Sequence, residues 1–549
     1  MKYINYKLIV VLLTAGMLST ACDSYLEEEN KSSKTIDIAL IDPNTFDQFV
    51  ASVYERARET TTHYAPDMYY SFEDLGTDIV TRGSTISGVS DLNDYVELNP
   101  LNGVAFQYWK NQYSIIAAAN VAIDNADLIQ GVDAAVKTAG VGEAKFFRAM
   151  SYFNLVENYG GVPLVLNQLK PSDATKTDYT RATEVAVYTQ IIKDLEDALT
   201  GVNETPTVYG RVSKDAVRHL LSKVLLTKGY KTFGVPADFT TAATLAETVI
   251  SHHALVDTFA SLTSISNQRN SEVFFSYLFG SSTTSRGWGN SRHQMYKFPY
   301  YDYPGMTRGN LYQKGLDPLP TPFFFTLFDD NDQRADATFR REILADKAYA
   351  STVGGLPVTV PAGSRAIYFP KVAWTPAQIA AVPYKVINPD KYFVVDGVTN
   401  AHTPMFKKFD EPGVPFKQPN ELSEGTRDMV IMRSGEAYLI AAEAYLKSAN
   451  PTTAAARLTT LRARAGLITA VTAGQVTLDF ILDERARELI GEVNRWMDLK
   501  RTGKLIERTL LYNPHAAMNN ALKAKHLLRP IPQYEIDNTY KSIVQNPDY

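Results

Sequence analysis

Four carboxylates and five basic residues fall within the eighteen positions of ERARELIGEVNRWMDLKR, Glu484 to Arg501. Carboxylates beside guanidinium groups suit glycoside hydrolysis, through a paired acid and base, or phosphate binding, through bidentate arginine. The apolar spacing assigns them another use. Leu482, Ala486, Leu489, Val493 and Trp496 fall at 0, +4, +7, +11 and +14, with Ile490 and Met497 on the flank. That is the buried stripe of one amphipathic helix. The charges then pair on the remaining faces at i+3 or i+4, as Asp483–Arg487, Arg485–Glu488, Glu492–Arg495 and Asp498–Arg501. Such solvated pairs contribute only ~0.2–0.5 kcal/mol each. The stretch reads as frame.

Residues suited to holding a ligand lie elsewhere. The chain carries 32 tyrosines against 4 tryptophans, and tyrosine combines a flat apolar face with a polar tip that suits sugar rings and interfaces alike. The densest cluster is SRGWGNSRHQMYKFPYYDYPG. Trp288 stands there between glycines, followed by Tyr296, Tyr300, Tyr301 and Tyr303, with Asn290, Arg292, His293 and Asp302 as polar partners. Packing of a loop-rich lobe is the competing use of these rings. A second cluster is APDMYYSFEDLGTDIVTRGSTISGVSDLNDY, where Asp78, Arg82 and Tyr95 are the candidates, with Asp67, Tyr69 and Tyr70 behind them. Trp109 fits a helix-packing surface, and Trp374 is a third loop aromatic.

Catalytic and metal signatures are poor. GxSxG, HExxH and GxxxxGK are absent from the sequence, so nucleophile-elbow, zinc-protease and P-loop chemistries have no anchor. His252 and His253 are adjacent, and neighbouring helical residues point apart, so no shared metal is expected. DDNDQRADATFRR, Asp329 to Arg341, lacks the turn glycine of a calcium loop and suggests structural use. Neither a metal nor a cofactor is predicted.

The elements that must position these residues are mostly helical. EAKFFRAMSYFNLVENYGG places Phe146, Met150 and Phe153 on one face, and Gly160, Gly161 and Pro163 stop it. Helices are also predicted over 43–59, 106–129, 184–199, 213–233 and 240–251, with Ser213 as an N-cap. A second helical block runs over 427–504, and its alanine-rich, short-turned pairs suggest a helical-repeat scaffold. Between the blocks, Pro, Gly, Tyr and Phe accumulate and helical spacing fades. The expected division is a scaffold over 41–256, a loop-rich, partly β lobe over 257–424, and a returning scaffold over 425–549.

The start of the chain, MKYINYKLIVVLLTAGMLSTAC, has basic, apolar and small-residue segments in secretory order. Residues 1–21 read as a signal peptide. Cys22, the only cysteine, has no disulfide partner and reads as the site of lipid attachment, and 22–40 reads as a polar, acidic tether. A lipid anchor of more than one chain holds stably, so the protein is expected to be tethered to a membrane without crossing it. Net charge is −5 with no Lys/Arg block, which argues against nucleic acid.

Several of these motifs together resemble one family. ERARELIGEVNRWMDLKRTG resembles the E-R-x-x-E-L…R-W-x-D-L-x-R segment of SusD/RagB-type outer-membrane nutrient-binding lipoproteins. EAKFFRAMSYFNLVENYGGVPL resembles their E-A-x-F-x-R-A-x-x-Y-F signature, and VIMRSGEAYLIAAEAYLK, LTTLRARAG and LRPIPQYEIDNTYKSIVQNPDY follow in the family's order. One departure is Gly491-Glu492-Val493-Asn494 where aromatic-Glu-Gly-x is usual. The resemblance implies a mostly α fold with tetratricopeptide-like helix pairs as scaffold and a variable loop-rich face. It also implies capture of a nutrient, usually an oligosaccharide, for a TonB-dependent SusC-like transporter. The implied location is the outer membrane, lipid-anchored and facing the exterior, with no catalysis. Alternatives are a peptide or glycopeptide binder of the same type, or a surface glycoside hydrolase.

Overall fold

The computed structural model describes residues 40–60, 72–83, 88–170, 173, 179–206, 208–282, 289–290, 292–298, 300–307, 318–393, 402–411, 425–492 and 494–549. The leader, Cys22 and the tether up to residue 39 lie outside the described residues, as do Asp67, Tyr69, Tyr70, Trp288 and Val493.

The scaffold is a run of antiparallel helices. Ala134–Tyr159 buries Phe146, Phe147 and Phe153. Asp133 opens it by accepting from the Ala135 N–H at 2.7 Å, and Gly160 closes it at φ 75°, a conformation open to glycine. Ser213 caps Lys214–Lys228 as predicted, its hydroxyl accepting from the Ala216 N–H at 3.2 Å. Such a cap stabilises by ~1 kcal/mol. Gly103–Asn125, Ala134–Tyr159, Glu184–Gly201, Lys214–Lys228 and Pro236–His252 pack on one another in chain order. Pro236–His252 then packs against Ser434–Lys447, which pairs with Pro451–Arg464. Both sides bury alanines, Ala242, Ala243 and Ala246 on one and Ala437, Ala441 and Ala444 on the other, and small side chains let helix axes approach. The second helical block thus continues the stack begun by the first, giving tetratricopeptide-like pairs.

The intervening chain loops out through one gate. Strand Val273–Tyr277 pairs antiparallel with Met429–Arg433, Met429 opposite Tyr277. Exit and entry of the loop-rich stretch are therefore neighbours. Within it, Glu342–Leu344, Arg365–Tyr368 and Lys385–Val386 form a three-stranded sheet, and Tyr349–Val353 pairs with Leu356–Val360. A separate apolar core of Phe298, Tyr300, Ile343, Ile367, Phe369 and Met405 supports these strands. Among the described residues, no helix is long and apolar enough to cross a membrane.

The Glu484–Arg501 stretch departs from its sequence reading in two ways. It forms two helices, Leu478–Leu489 and Arg495–Arg501, because Gly491 takes φ 72° and turns the chain between them. Its charges are also not solvated. Glu484 and Glu488 are 0% exposed and Arg485 is 2% exposed. Of the four expected local pairs, Asp498–Arg501 forms at 2.8 Å; Arg487 pairs within its own helix with Glu484 at 2.6 Å, and the other partners turn to different elements. Glu488 accepts from Arg433 at 2.7 Å, from Arg334 at 3.2 Å and from Arg464. Glu484 takes Arg334 at 2.7 Å and Arg462 at 2.8 Å, and Arg501 reaches Glu443 at 2.8 Å. Asp332, Arg334 and the short helix Gln333–Thr338 come from the DDNDQRADATFRR segment, which serves this network. The stretch is frame, but as a buried ionic clamp joining lobe to scaffold.

Candidate ligand-binding face

The first predicted patch is built on the pairing of Val80–Thr81 with Leu319–Pro320, extended by the Thr321 N–H donating to the Ile79 carbonyl at 2.9 Å. Asp78, just before it, is 0% exposed. Arg495 donates to both its oxygens at 2.9 and 2.7 Å, and Arg508 adds a bond at 2.7 Å. Burial alone would raise its pKa, but the two guanidiniums outweigh that and hold it below the usual carboxylate range. Asp78 is thus a structural anchor whose acceptors are taken, a correction to its reading as a ligand contact. Tyr95 needs the same correction. It caps Val89–Asp94 at φ 60°, is buried, and donates its hydroxyl to the Gly76 carbonyl at 2.6 Å. Arg82 lies nearer the surface, its Nε donating to Asp94 Oδ1 and Oδ2 at 2.9 and 3.0 Å.

The second patch meets the first at Asp74. Tyr296, at φ 58°, donates to Asp74 Oδ2 at 2.8 Å and stacks on Phe406 at 4.2 Å. Burial lifts Asp74 to about 6 against the pull of Tyr296, Arg292 and Arg495. Tyr296 and Tyr300 are both 0% exposed, so their rings pack the interior instead of offering a face, a further correction. Tyr301 and Tyr303 are half-buried, and Tyr303 shares a 2.6 Å hydrogen bond with His402 Nδ1. Arg292, largely buried, lies over the Phe409 ring at 4.6 Å. It lines a small cavity of about 40 Å³ with Asn290, His293, Lys408 and Glu411. Burial pushes His293 down to about 4, so its imidazole there is neutral at neutral pH. Trp109 is buried in helix packing against Tyr113 and Tyr159, as predicted.

Two partly exposed ring groups lie outside the two predicted patches, and of their rings the sequence reading named only Trp374. Phe323 stacks on Tyr512 at 3.6 Å and 10°, with Arg508 over both rings at 5.4 Å. The run TPFFF signals Phe323, but nothing local signals Tyr512 as its partner. On the small sheet, Trp374 lies 5.3 Å from Tyr368, and Arg365 covers Tyr368 at 4.5 Å and Tyr384 at 5.0 Å. Flat half-exposed rings beside charged hydrogen-bonding groups can take the apolar face of a ring-shaped ligand and bond its hydroxyls.

The chain has well-matched relatives. A model of the SusD family matches residues 263–549, and a model described as starch-binding associating with outer membrane matches residues 24–226. SusD-like protein P2 of Formosa agariphila is 34% identical over 157 residues, 28% of this chain and 29% of that protein. SusD-like protein P25 of the same organism is 24% identical over 286 residues, 47% of this chain and 49% of that protein. The chain thus spans half or less of the length of these curated relatives. Among solved structures, a laminarin-binding SusD-like protein aligns with TM-score 0.69 at 24% identity, over 93% of this chain and 100% of that one. Surface glycan-binding protein A from Bacteroides thetaiotaomicron, in complex with laminarihexaose, aligns with TM-score 0.68 at 18% identity, over 92% and 99%. These likenesses establish the fold, and with a family model matching more than half of its 549 residues, the chain belongs to the SusD family.

Proposed function

We propose that this protein is a non-catalytic, cell-surface binder of oligosaccharide, lipid-anchored through Cys22 to the outer membrane, that hands its ligand to a TonB-dependent SusC-like transporter. Family membership and the outer-membrane description of the model matching residues 24–226 support the location. The laminarin and laminarihexaose named for two structural neighbours support a glycan as ligand. The observation in this chain that carries the reading is the set of half-buried rings edged by charged groups: Tyr301, Tyr303 with His402, and Phe323 on Tyr512. Trp288, Arg292 and Arg82 are the further contacts we propose. A set of rings of this kind needs no activated nucleophile, and binding each sugar weakly is sufficient when a partner assembly adds avidity.

Calorimetric titration with an oligosaccharide panel that includes laminarin fragments tests the reading. Tyr303→Ala and Trp288→Ala are each expected to weaken the best ligand about tenfold, ~1.4 kcal/mol. Heat from a peptide panel alone would reassign the ligand.

A further inference from the structure

We propose that His252, His253, Asp215 and Glu204 form a binding site on the helical scaffold for a divalent transition-metal ion of the zinc class. The sequence places the two histidines side by side, where a continuous helix would aim them apart. Pro236–His252 ends between them, and His253 leaves helical backbone at φ −125°. Both rings then turn to one carboxylate. His252 Nδ1 lies 3.0 Å from Asp215 Oδ2 and 3.2 Å from Oδ1, and His253 Nε2 lies 3.0 Å from Oδ2. Glu204, in the loop after Glu184–Gly201, brings a second carboxylate, so that ligand atoms of Glu204, Asp215 and His252 lie within 4.8 Å of one another. Small side-chain rotations bring them to the ~2.0–2.2 Å that zinc takes from nitrogen and oxygen ligands.

His253 Nδ1 lies 3.3 Å from the Ser271 carbonyl oxygen, and a backbone carbonyl beside the far ring nitrogen is how proteins orient a metal-ligating imidazole. The C-terminal end of Pro236–His252 adds a negative dipole.

Arg218 holds Asp215 Oδ1 at 2.7 Å and also pairs with Glu204, whose other close cation is Lys214 at 3.9 Å. Arg218 therefore positions the carboxylates, while its charge and that of Lys214 lower the affinity for a cation. Imidazole nitrogens select zinc, nickel or copper over magnesium or calcium. The His252 side chain is 45% exposed, so an ion enters from solvent. Bound there, it would clip together the loop after Glu184–Gly201, the start of Lys214–Lys228 and the end of Pro236–His252.

The test is titration of metal-stripped full-length protein with zinc chloride, followed by calorimetry and thermal melting. One equivalent of zinc is expected to bind and raise the melting temperature, with magnesium and calcium chloride giving no heat. His252→Ala and His253→Ala, at accessible positions and checked for unchanged circular dichroism, should each weaken zinc at least tenfold. No uptake by the wild type, or equal uptake by the double His252→Ala/His253→Ala variant, would overturn the site.

Discussion

Replacing Glu488 by glutamine should destabilise the fold by ~3–5 kcal/mol, the usual cost of stranding one side of a buried ion pair. Glu488 is 0% exposed and receives Arg433, Arg334 and Arg464. Burial opposes its ionisation, but the guanidiniums of Arg464, Arg433 and Arg334 prevail and hold its carboxyl far below the ordinary range. Glutamine keeps the shape and one acceptor but removes the charge, leaving three guanidiniums with less compensation in a water-poor site. Against a typical total stability of ~5–15 kcal/mol, that loss is large. Urea unfolding followed by circular dichroism measures it, with Glu507→Gln as the comparison. Glu507 pairs with Lys504 at 3.0 Å, but its side chain is 63% exposed, and a surface pair is worth at most ~1 kcal/mol. Similar small effects for both variants would refute a buried clamp and return the stretch to the solvated-face reading.

Acid should weaken the fold. Burial opposes ionisation of Glu157, Glu484 and Glu492, but their cationic partners hold each at about 2, below the unfolded ~4.3. The stability they contribute is present above about pH 4.3 and lost as pH falls towards 2, while Asp74, lifted to about 6 by burial, works in the opposite sense between about pH 6 and 4. Melting temperature measured from pH 6 down to pH 3 should fall steeply below about pH 4.5, and a flat profile would contradict this. Gly491→Ala should destabilise by ~1–2 kcal/mol or more, because φ is 72° and a Cβ there would lie 2.9 Å from the Phe409 ring; an unchanged urea midpoint would remove the strain argument. Phe323→Ala should lower oligosaccharide affinity about tenfold with little change in urea midpoint, and unaltered binding would move the ligand away from the Tyr512 stack.

The helical scaffold was legible because its signals are local. The Phe146, Met150 and Phe153 face, the Gly160 stop and the Ser213 cap each lie within a few residues of the feature they specify. Long-range pairing was not legible. Glu488 meets arginines from three separate segments, a pairing that reading along one helix replaces with the i+3 surface pair Arg485–Glu488. The break at Gly491 was masked by an apolar stripe that continues through it. For the ligand face, residue type suggested tyrosines, but their depth depends on partners such as Phe406 for Tyr296 and two arginines for Asp78. That is why Tyr296, Tyr300, Tyr95 and Asp78 moved into the frame, while Tyr301 and Tyr303 kept accessible surface.

The most direct measurement exposes the purified chain to the oligosaccharide panel in a calorimeter and then recovers and sizes the sugar by chromatography. Saturable heat with at least one glycan, and that glycan returned at its original length, is the expected outcome. Silence across the whole panel, or recovery of shortened chains, would contradict a passive glycan binder.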